Sequence, residues 1–168
     1  EAHDDGALFP TLLLEVMMQR RHAEHALACH LERGDLDDDG KKDFVSLIRT
    51  SENPTFSYYR NTSTLGNISF FIRFYLIMPV QVLQNSDVRL ADYDGDDKLD
   101  AIILTDLNYH IFRNTSTRGT ISFAVPVIYP IPGITSGGTV DNLNGDAKPD
   151  LLRGNWGDRY YWLYKNIS

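Results

Sequence analysis

An Asp-rich stretch of ten residues occurs three times in this chain of 168 residues, and its recurrence restricts the fold more than any other feature. The stretches are GDLDDDGKKD ending at Asp43, ADYDGDDKLD ending at Asp100, and DNLNGDAKPD ending at Asp150. Their first loop positions, Asp35, Asp92 and Asn142, are 57 and 50 residues apart. A period of about 50 residues is typical of repeat proteins, in which each unit buries its apolar face against the next unit.

A second motif follows each Asp-rich stretch and recurs in the same order. It consists of an aromatic residue, a basic residue and an Asn-x-Ser tripeptide, at residues 59–63, 112–116 and 164–168. These copies are 53 and 52 residues apart. Asn-x-Ser is also a glycosylation sequence, but its place in the repeat favours a turn whose Asn and Ser side chains bond the backbone. Two motifs that recur together predict a duplicated structural unit.

Segments rich in β-branched and aromatic residues lie between the motifs, which favours strands. The predicted strands are residues 44–48, 56–60, 68–77, 88–90, 101–104, 109–113, 121–128 and 160–165. Four-stranded units of this length are typical of the blades of a β-propeller, which usually has about four to eight of them. We therefore predict an all-β fold, an incomplete β-propeller of about two and a half to three four-stranded blades.

The chain divides into an N-terminal segment and a repeat region. Residues 1–30 contain strong helix formers without strand alternation, which favours a short N-terminal helix. The repeat region covers residues 31–168, with units at about 31–84, 85–136 and 137–168. Because the third unit stops before its Ile-Ser-Phe strand, we expect further blades from the same chain, or self-association, to cover the exposed sheet edges.

The acidic residues are concentrated in the repeats. Of 18 Asp residues, 13 lie in the three stretches, and the net charge of the chain is −7. This balance argues against a nucleic-acid partner, which needs a basic patch. Carboxylates crowded into one short loop repel each other unless a cation lies between them. No apolar run approaches the roughly 20 residues that a membrane-spanning helix needs.

Oxygen-bearing side chains alternate along nine residues of each stretch, so those at odd positions point inward together. We call residues 35–43 loop one, residues 92–100 loop two and residues 142–150 loop three, and we number each loop from 1 to 9. The predicted ligands are the side chains at positions 1, 3, 5 and 9 and the backbone carbonyl of the Lys at position 7. These residues are Asp35, Asp37, Asp39, Lys41 and Asp43; Asp92, Asp94, Asp96, Lys98 and Asp100; and Asn142, Asn144, Asp146, Lys148 and Asp150.

This pattern, D-x-D-x-D-G-x-x-D leading into a strand, resembles the calcium loop of FG-GAP/VCBS repeats, the modules of integrin α-subunit propellers and of many bacterial surface proteins. An EF-hand instead requires Glu at position 12 and a following helix. Position 12 in this chain is Ser46, Ile103 or Arg153. The resemblance covers residues 31–168 and implies two bound Ca²⁺ ions, in loops one and two, with loop three as a third candidate.

Position 6 distinguishes the three loops. The family usually has Gly there, because the backbone tends to need a positive φ. Loop one has Gly40, loop two has Asp97, which tolerates this conformation, and loop three has Ala147, which does not. Loop three also carries Asn142 and Asn144 in place of carboxylates. We therefore expect loop three to bind Ca²⁺ most weakly.

The sequence and the resemblance together predict a calcium-binding structural or adhesive module of a secreted or cell-surface protein, with an extracellular protein or glycan as its ligand. We expect no enzymatic activity, no nucleic acid and no membrane span. One alternative is the non-catalytic accessory region of a secreted hydrolase or lyase. The other is a lectin-like, carbohydrate-binding propeller. Its platform would be Trp156, Tyr160, Tyr161, Trp162 and Tyr164, although packing between neighbouring blades is the preferred explanation for these aromatics.

Overall fold

A computed structural model describes residues 28–49, 55–77, 86–131, 135–155 and 160–167. Their regular secondary structure consists of eleven strands. The strands are β1 (Ala28–Gly34), β2 (Asp43–Arg49), β3 (Thr55–Asn61), β4 (Phe70–Ile77), β5 (Asp87–Ala91), β6 (Asp100–Leu104), β7 (Asn108–Phe112), β8 (Val127–Pro130), β9 (Thr135–Asp141), β10 (Asp150–Asn155) and β11 (Tyr161–Tyr164). The predicted all-β fold is confirmed. The described residues include no helix long and apolar enough to cross a membrane.

The strands form three antiparallel sheets that follow one another along the chain. Sheet one contains β1 to β4, sheet two contains β5 to β8, and sheet three contains β9 to β11. Each strand pairs with its neighbour in sequence, so every sheet is a simple meander. The result is an incomplete propeller-like arrangement in which each sheet is one blade.

Two apolar layers join the three sheets. The layer between sheets one and two includes Val45 and Leu47 from β2 and Ala101 and Ile103 from β6. The layer between sheets two and three includes Ile102 and Leu104 from β6 and Leu151 from β10. Successive residues of a strand point to opposite faces, so β6 serves both layers and is buried along its whole length. Burial on both faces explains the apolar run from Ala101 to Leu104.

Seven of the eight predicted strands agree with observed strands to within two residues at each end. The exception is the strand predicted at residues 121–128, because β8 begins only at Val127. The residues before it form only an isolated bridge, between Phe123 and Asn114. The amide of Ser122 donates to Ser116 Oγ, and that of Ala124 donates to the carbonyl of Arg113. Pro126 has no amide hydrogen for a ladder.

A short helix was predicted within residues 1–30, and residues 1–27 of this segment lie outside the described residues. Strand β1 already begins at Ala28, so the last three residues of the 1–30 segment are extended. In the same way, β9 begins at Thr135, two residues before the predicted start of the third unit. Each of the three predicted repeat units otherwise contains one sheet.

Candidate metal-binding loops

The three Asp-rich loops occupy the same place in the three sheets. Each connects the first strand of its sheet to the second. The strand ladder closes each loop at its base, where Gly34 pairs with Asp43, Ala91 with Asp100 and Asp141 with Asp150. Position 9 is therefore also the first residue of the second strand.

Two residues in each loop have a left-handed backbone. At position 6, φ is 86° for Gly40, 66° for Asp97 and 67° for Ala147, so the predicted positive φ is confirmed. At position 4, Asp38, Gly95 and Gly145 are also left-handed, with φ of 56°, 80° and 84°. This second position was not predicted from the sequence, although Gly at position 4 of loops two and three was an available signal.

Ala147→Gly should raise the free energy of unfolding by about 0.5–1 kcal/mol. Ala pays about 1–2 kcal/mol for a left-handed backbone, and Gly removes this cost, but the greater chain entropy that Gly loses on folding offsets part of the gain. Urea denaturation in chelator would measure the change. Asp97→Gly is the matched comparison and should give a smaller gain, because Asp tolerates this conformation better. A loss of stability in Ala147→Gly would show that the left-handed backbone of Ala147 is not strained.

The side chains at positions 1 and 5 shape each loop by accepting backbone hydrogen bonds. In loop two, Asp92 Oδ1 accepts the amides of Gly95 at 2.8 Å and Asp96 at 3.0 Å, and its Oδ2 accepts that of Asp97 at 2.9 Å. The position-5 carboxylates accept the amide of the Lys at position 7 at 2.9, 3.1 and 3.0 Å in loops one, two and three. These bonds curl each loop so that its oxygens converge.

Two loops bring three carboxylates together. Oxygens of Asp35, Asp37 and Asp39 lie within 4.8 Å of one another in loop one, and oxygens of Asp92, Asp94 and Asp100 do so in loop two. Clustered carboxylate oxygens are the ligands that Ca²⁺ prefers. In loop three Asn142 and Asn144 replace two carboxylates, and no such acidic group occurs there among the described residues.

Loop one also contains a buried oxygen that no other group satisfies. The side chain of Asp37 is 0% exposed, and its Oδ1 atom accepts no hydrogen bond. An unsatisfied carboxylate oxygen in the interior is unfavourable unless a cation or a donor lies near it. The residues of loops one and two therefore fit a divalent cation, and those of loop three fit one less well.

The Asp at position 9 has a structural role that the sequence did not indicate. Asp43, Asp100 and Asp150 are at most 1% exposed. One oxygen of each accepts the amide of position 2, from Leu36, Tyr93 or Leu143, at 2.9, 3.0 and 3.3 Å. The other accepts the amide of the Asn that begins each Asn-x-Ser motif, at 2.7, 2.7 and 2.9 Å. Burial raises the pKa of Asp43 and Asp100, and these backbone bonds partly offset the shift.

The Asn-x-Ser motif forms the predicted turn. Asn114 Oδ1 accepts the amide of Ser116 at 2.8 Å, and Ser116 Oγ accepts the amide of Ser122 at 2.9 Å. Asn61 and Ser63 make the same bonds with the corresponding residues of unit one. Asn114 is only 1% exposed, so a glycan on this side chain is incompatible with the folded structure.

The same Asn side chains also join neighbouring blades. Asn114 Nδ2, in sheet two, donates to the carbonyl of Leu36 in loop one at 3.0 Å. Asn166 Nδ2, after sheet three, donates to the carbonyl of Tyr93 in loop two at 2.9 Å. The second and third motifs thus tie their own blades to the loop of the preceding blade.

The basic residue before each of these Asn residues contacts the loop of its own unit. Arg60 Nε lies 2.5 Å from Asp37 Oδ2, and its Nη2 lies 2.8 Å from Asp39 Oδ2. Arg113 makes the equivalent contacts with Asp94 at 2.6 Å and Asp96 at 3.3 Å. Lys165 lies 3.5 Å from Asp146. These contacts were not predicted from the sequence, although a basic residue at the same place in all three repeats was a usable signal.

The aromatic strand β11 is only partly explained by packing between blades. Tyr164 packs against sheet two, with its ring centroid 6.0 Å from that of Tyr109. Tyr160 and Tyr161, in contrast, are 71% and 77% exposed, and Trp162 is 38% exposed. Trp156 lies outside the described residues.

Comparison with known proteins identifies one part of this arrangement. Residues 35–103 match a family model described as FG-GAP-like repeat. The matched segment begins at position 1 of loop one and ends in β6, so it contains loops one and two. No curated protein and no solved structure matches the chain. The resemblance noted in the sequence is confirmed over these residues, and loop three lies beyond them.

Proposed function

Because residues 35–103 carry an FG-GAP-like repeat, we propose that the chain is a calcium-binding structural module built from propeller-like blades. The observation that carries the proposal is the convergence of three carboxylates in loop one and again in loop two. The unsatisfied Oδ1 atom of buried Asp37 adds independent support. When bound, Ca²⁺ would neutralise these carboxylates and hold each loop in its curled form.

The residues that would hold the ions differ slightly between the two loops. Asp35, Asp37 and Asp39 form the acidic set in loop one, with the backbone carbonyl of Lys41 as a further oxygen. In loop two the set is Asp92, Asp94, Asp96 and Asp100, with the carbonyl of Lys98. The remaining predicted ligands, Asp43, Asn142, Asn144, Asp146, Lys148 and Asp150, serve mainly to shape and fasten their loops.

We assign the module to a secreted or cell-surface protein, with a non-catalytic, adhesive role. Short acidic loops of extracellular modules bind Ca²⁺ with dissociation constants of about 10⁻⁴–10⁻³ M, which suits extracellular calcium concentrations. An accessory region of a secreted hydrolase or lyase would have the same properties. The adhesive module and the accessory region differ only in whether the longer protein around them also has a catalytic domain.

The exposed face of sheet three supports the proposal that another structural element packs against this module. Tyr161 and Leu163 are 77% and 61% exposed there. The equivalent residues are Phe56 and Tyr58 in sheet one, which pack against sheet two, and Tyr109 and Ile111 in sheet two, which pack against sheet three. We therefore favour a further blade, from the same chain or a second copy, over a stacked sugar as the occupant of this face.

A thermal melt tests the calcium proposal directly. In about 2 mM CaCl₂ the protein should unfold several degrees higher than in excess EGTA, because ions that bind only the folded state stabilise it by about 1–3 kcal/mol per site. An equal concentration of MgCl₂ should have a much smaller effect, because Mg²⁺ requires a tighter octahedral site.

Asp94→Asn provides a site-specific control for the melt. It removes one carboxylate charge from loop two at a half-exposed position, and should reduce the calcium-dependent shift while leaving the melt in EGTA nearly unchanged. A folded protein whose melting temperature does not respond to Ca²⁺ would contradict the proposal.

A further inference from the structure

We propose that Arg60 is a tethered counter-ion of loop one, which competes with a bound cation for Asp37 and Asp39. This inference rests on the proposed calcium function of the loop. It assigns a role to a residue outside the Asp-rich stretch, and it predicts the order in which the loops fill.

The geometry of Arg60 suits this role. Its guanidinium group spans two carboxylates, with Nε 2.5 Å from Asp37 Oδ2 and Nη2 2.8 Å from Asp39 Oδ2. The planar fork of Arg makes such paired contacts stronger and more specific than those of Lys. The side chains of Asp37 and Asp39 are only 0% and 9% exposed, so water screens these contacts weakly. Arg60 thus neutralises charge in loop one without any bound ion.

Arg60 leaves part of the site unsatisfied. Asp37 Oδ1 has no hydrogen-bond partner although its side chain is buried. A cation that binds Asp35, Asp37 and Asp39 together would satisfy this oxygen. It would also lie beside the guanidinium group, and two cations on the same carboxylates repel each other. Arg60 therefore has to withdraw from at least one carboxylate when the ion binds.

The structure leaves room for that withdrawal. Arg60 lines an open cleft of about 270 Å³ together with Tyr58, Gly119 and Ile121. Gly119 lies beside the guanidinium group, because a Cβ atom at this position would make an ordinary van der Waals contact with Arg60 Nη2 at 3.5 Å. The displaced side chain can move into this cleft without crossing the core.

The equivalent contacts weaken along the chain. The Arg113 side chain is 59% exposed and its second contact lengthens to 3.3 Å. Lys165 is 60% exposed and makes one contact, at 3.5 Å. Exposed ion pairs contribute little. The competition is therefore strongest in loop one, and we expect loop two to fill before loop one although loop one has the favourable Gly40.

Isothermal titration of CaCl₂ into Arg60→Gln tests this inference. An Asp94→Asn background weakens loop two, so that loop one dominates the signal. Arg60→Gln should raise the calcium affinity of loop one about tenfold relative to the background protein, since a charge-assisted contact must otherwise be broken. Arg113→Gln in the otherwise unchanged chain should raise the affinity of loop two by less.

Lys42→Gln is the matched control. It removes the same charge from position 8 of loop one, but within the described part of the chain Lys42 forms no ion pair with the loop carboxylates. It should change the affinity less than about twofold, the size expected of a screened surface charge. In excess EGTA, Arg60→Gln should also unfold more readily than Lys42→Gln, because the Asp37 and Asp39 carboxylates have then lost their counter-ion.

The outcomes separate this inference from the calcium proposal itself. If the background protein binds Ca²⁺ and Arg60→Gln binds it no more tightly, Arg60 positions the carboxylates instead and the inference is wrong. If neither the unchanged chain nor any variant binds Ca²⁺, the proposed function fails and the inference fails with it. If Arg60→Gln does not fold, Arg60→Lys is measured instead and should give a smaller rise in affinity, because Lys keeps the charge but loses the fork.

Discussion

Asp100→Ala is expected to lower the free energy of unfolding by about 2–4 kcal/mol even in the absence of Ca²⁺. The carboxylate of Asp100 is 1% exposed and accepts the amides of Tyr93 at 3.0 Å and Asn114 at 2.7 Å. Alanine would leave both amides without an acceptor, and the amide of Asn114 is buried. Because burial raises the pKa of Asp100, the charged carboxylate carries a desolvation penalty, and its removal recovers part of the loss.

Asp94→Ala is the matched control for this prediction. Asp94 belongs to the same carboxylate cluster, but its side chain is 30% exposed and its contact is an ion pair with Arg113 at 2.6 Å. Its loss should weaken Ca²⁺ binding and change stability in EGTA by less than about 1 kcal/mol. Urea denaturation of both variants in EGTA and in CaCl₂ makes the comparison. Equal destabilisation of the two in EGTA would show that position 9 has no special structural role.

Asn114→Ala is expected to cost about 2–4 kcal/mol, because its buried side chain makes three hydrogen bonds. Its Nδ2 donates to the carbonyls of Leu36 and Leu99, both at 3.0 Å, and its Oδ1 accepts the amide of Ser116 at 2.8 Å. The bond to Leu36 crosses from sheet two to loop one. Its loss should therefore loosen the contact between two blades as well as the turn.

Asn61→Ala separates the two contributions. Asn61 makes the same turn, accepting the amide of Ser63 at 2.9 Å, and donates to the carbonyl of Lys42 in its own unit at 3.0 Å. The described part of the chain contains no bond from Asn61 to another blade. Asn114→Ala should therefore be the more destabilising variant. Amide hydrogen exchange should report faster exchange at loop one in Asn114→Ala than in Asn61→Ala, and equal rates would contradict a link between blades.

The sequence by itself determined the features that depend on local chemistry. The Asp-rich repeats, their spacing and the β-branched segments between them predicted the three sheets, because strand propensity and turn residues act over a few neighbouring positions. The positive φ at position 6 followed from Gly40 in the same way. The alternating acids also predicted ligand sets for loops one and two, and of these Asp35, Asp37 and Asp39, and Asp92, Asp94 and Asp100, lie close together.

Only the tertiary structure decided which distant residues meet at each loop. Asp100 could be read as a ligand from its spacing, but its bond to the amide of Asn114 depends on where the end of β7 lies. Arg60 follows Asp37 by 23 residues, and Asn114 follows Leu36 by 78, so neither contact has a local signature. Such contacts arise when whole sheets dock through their apolar faces, and the geometry of that docking is a property of the assembled core rather than of any short segment.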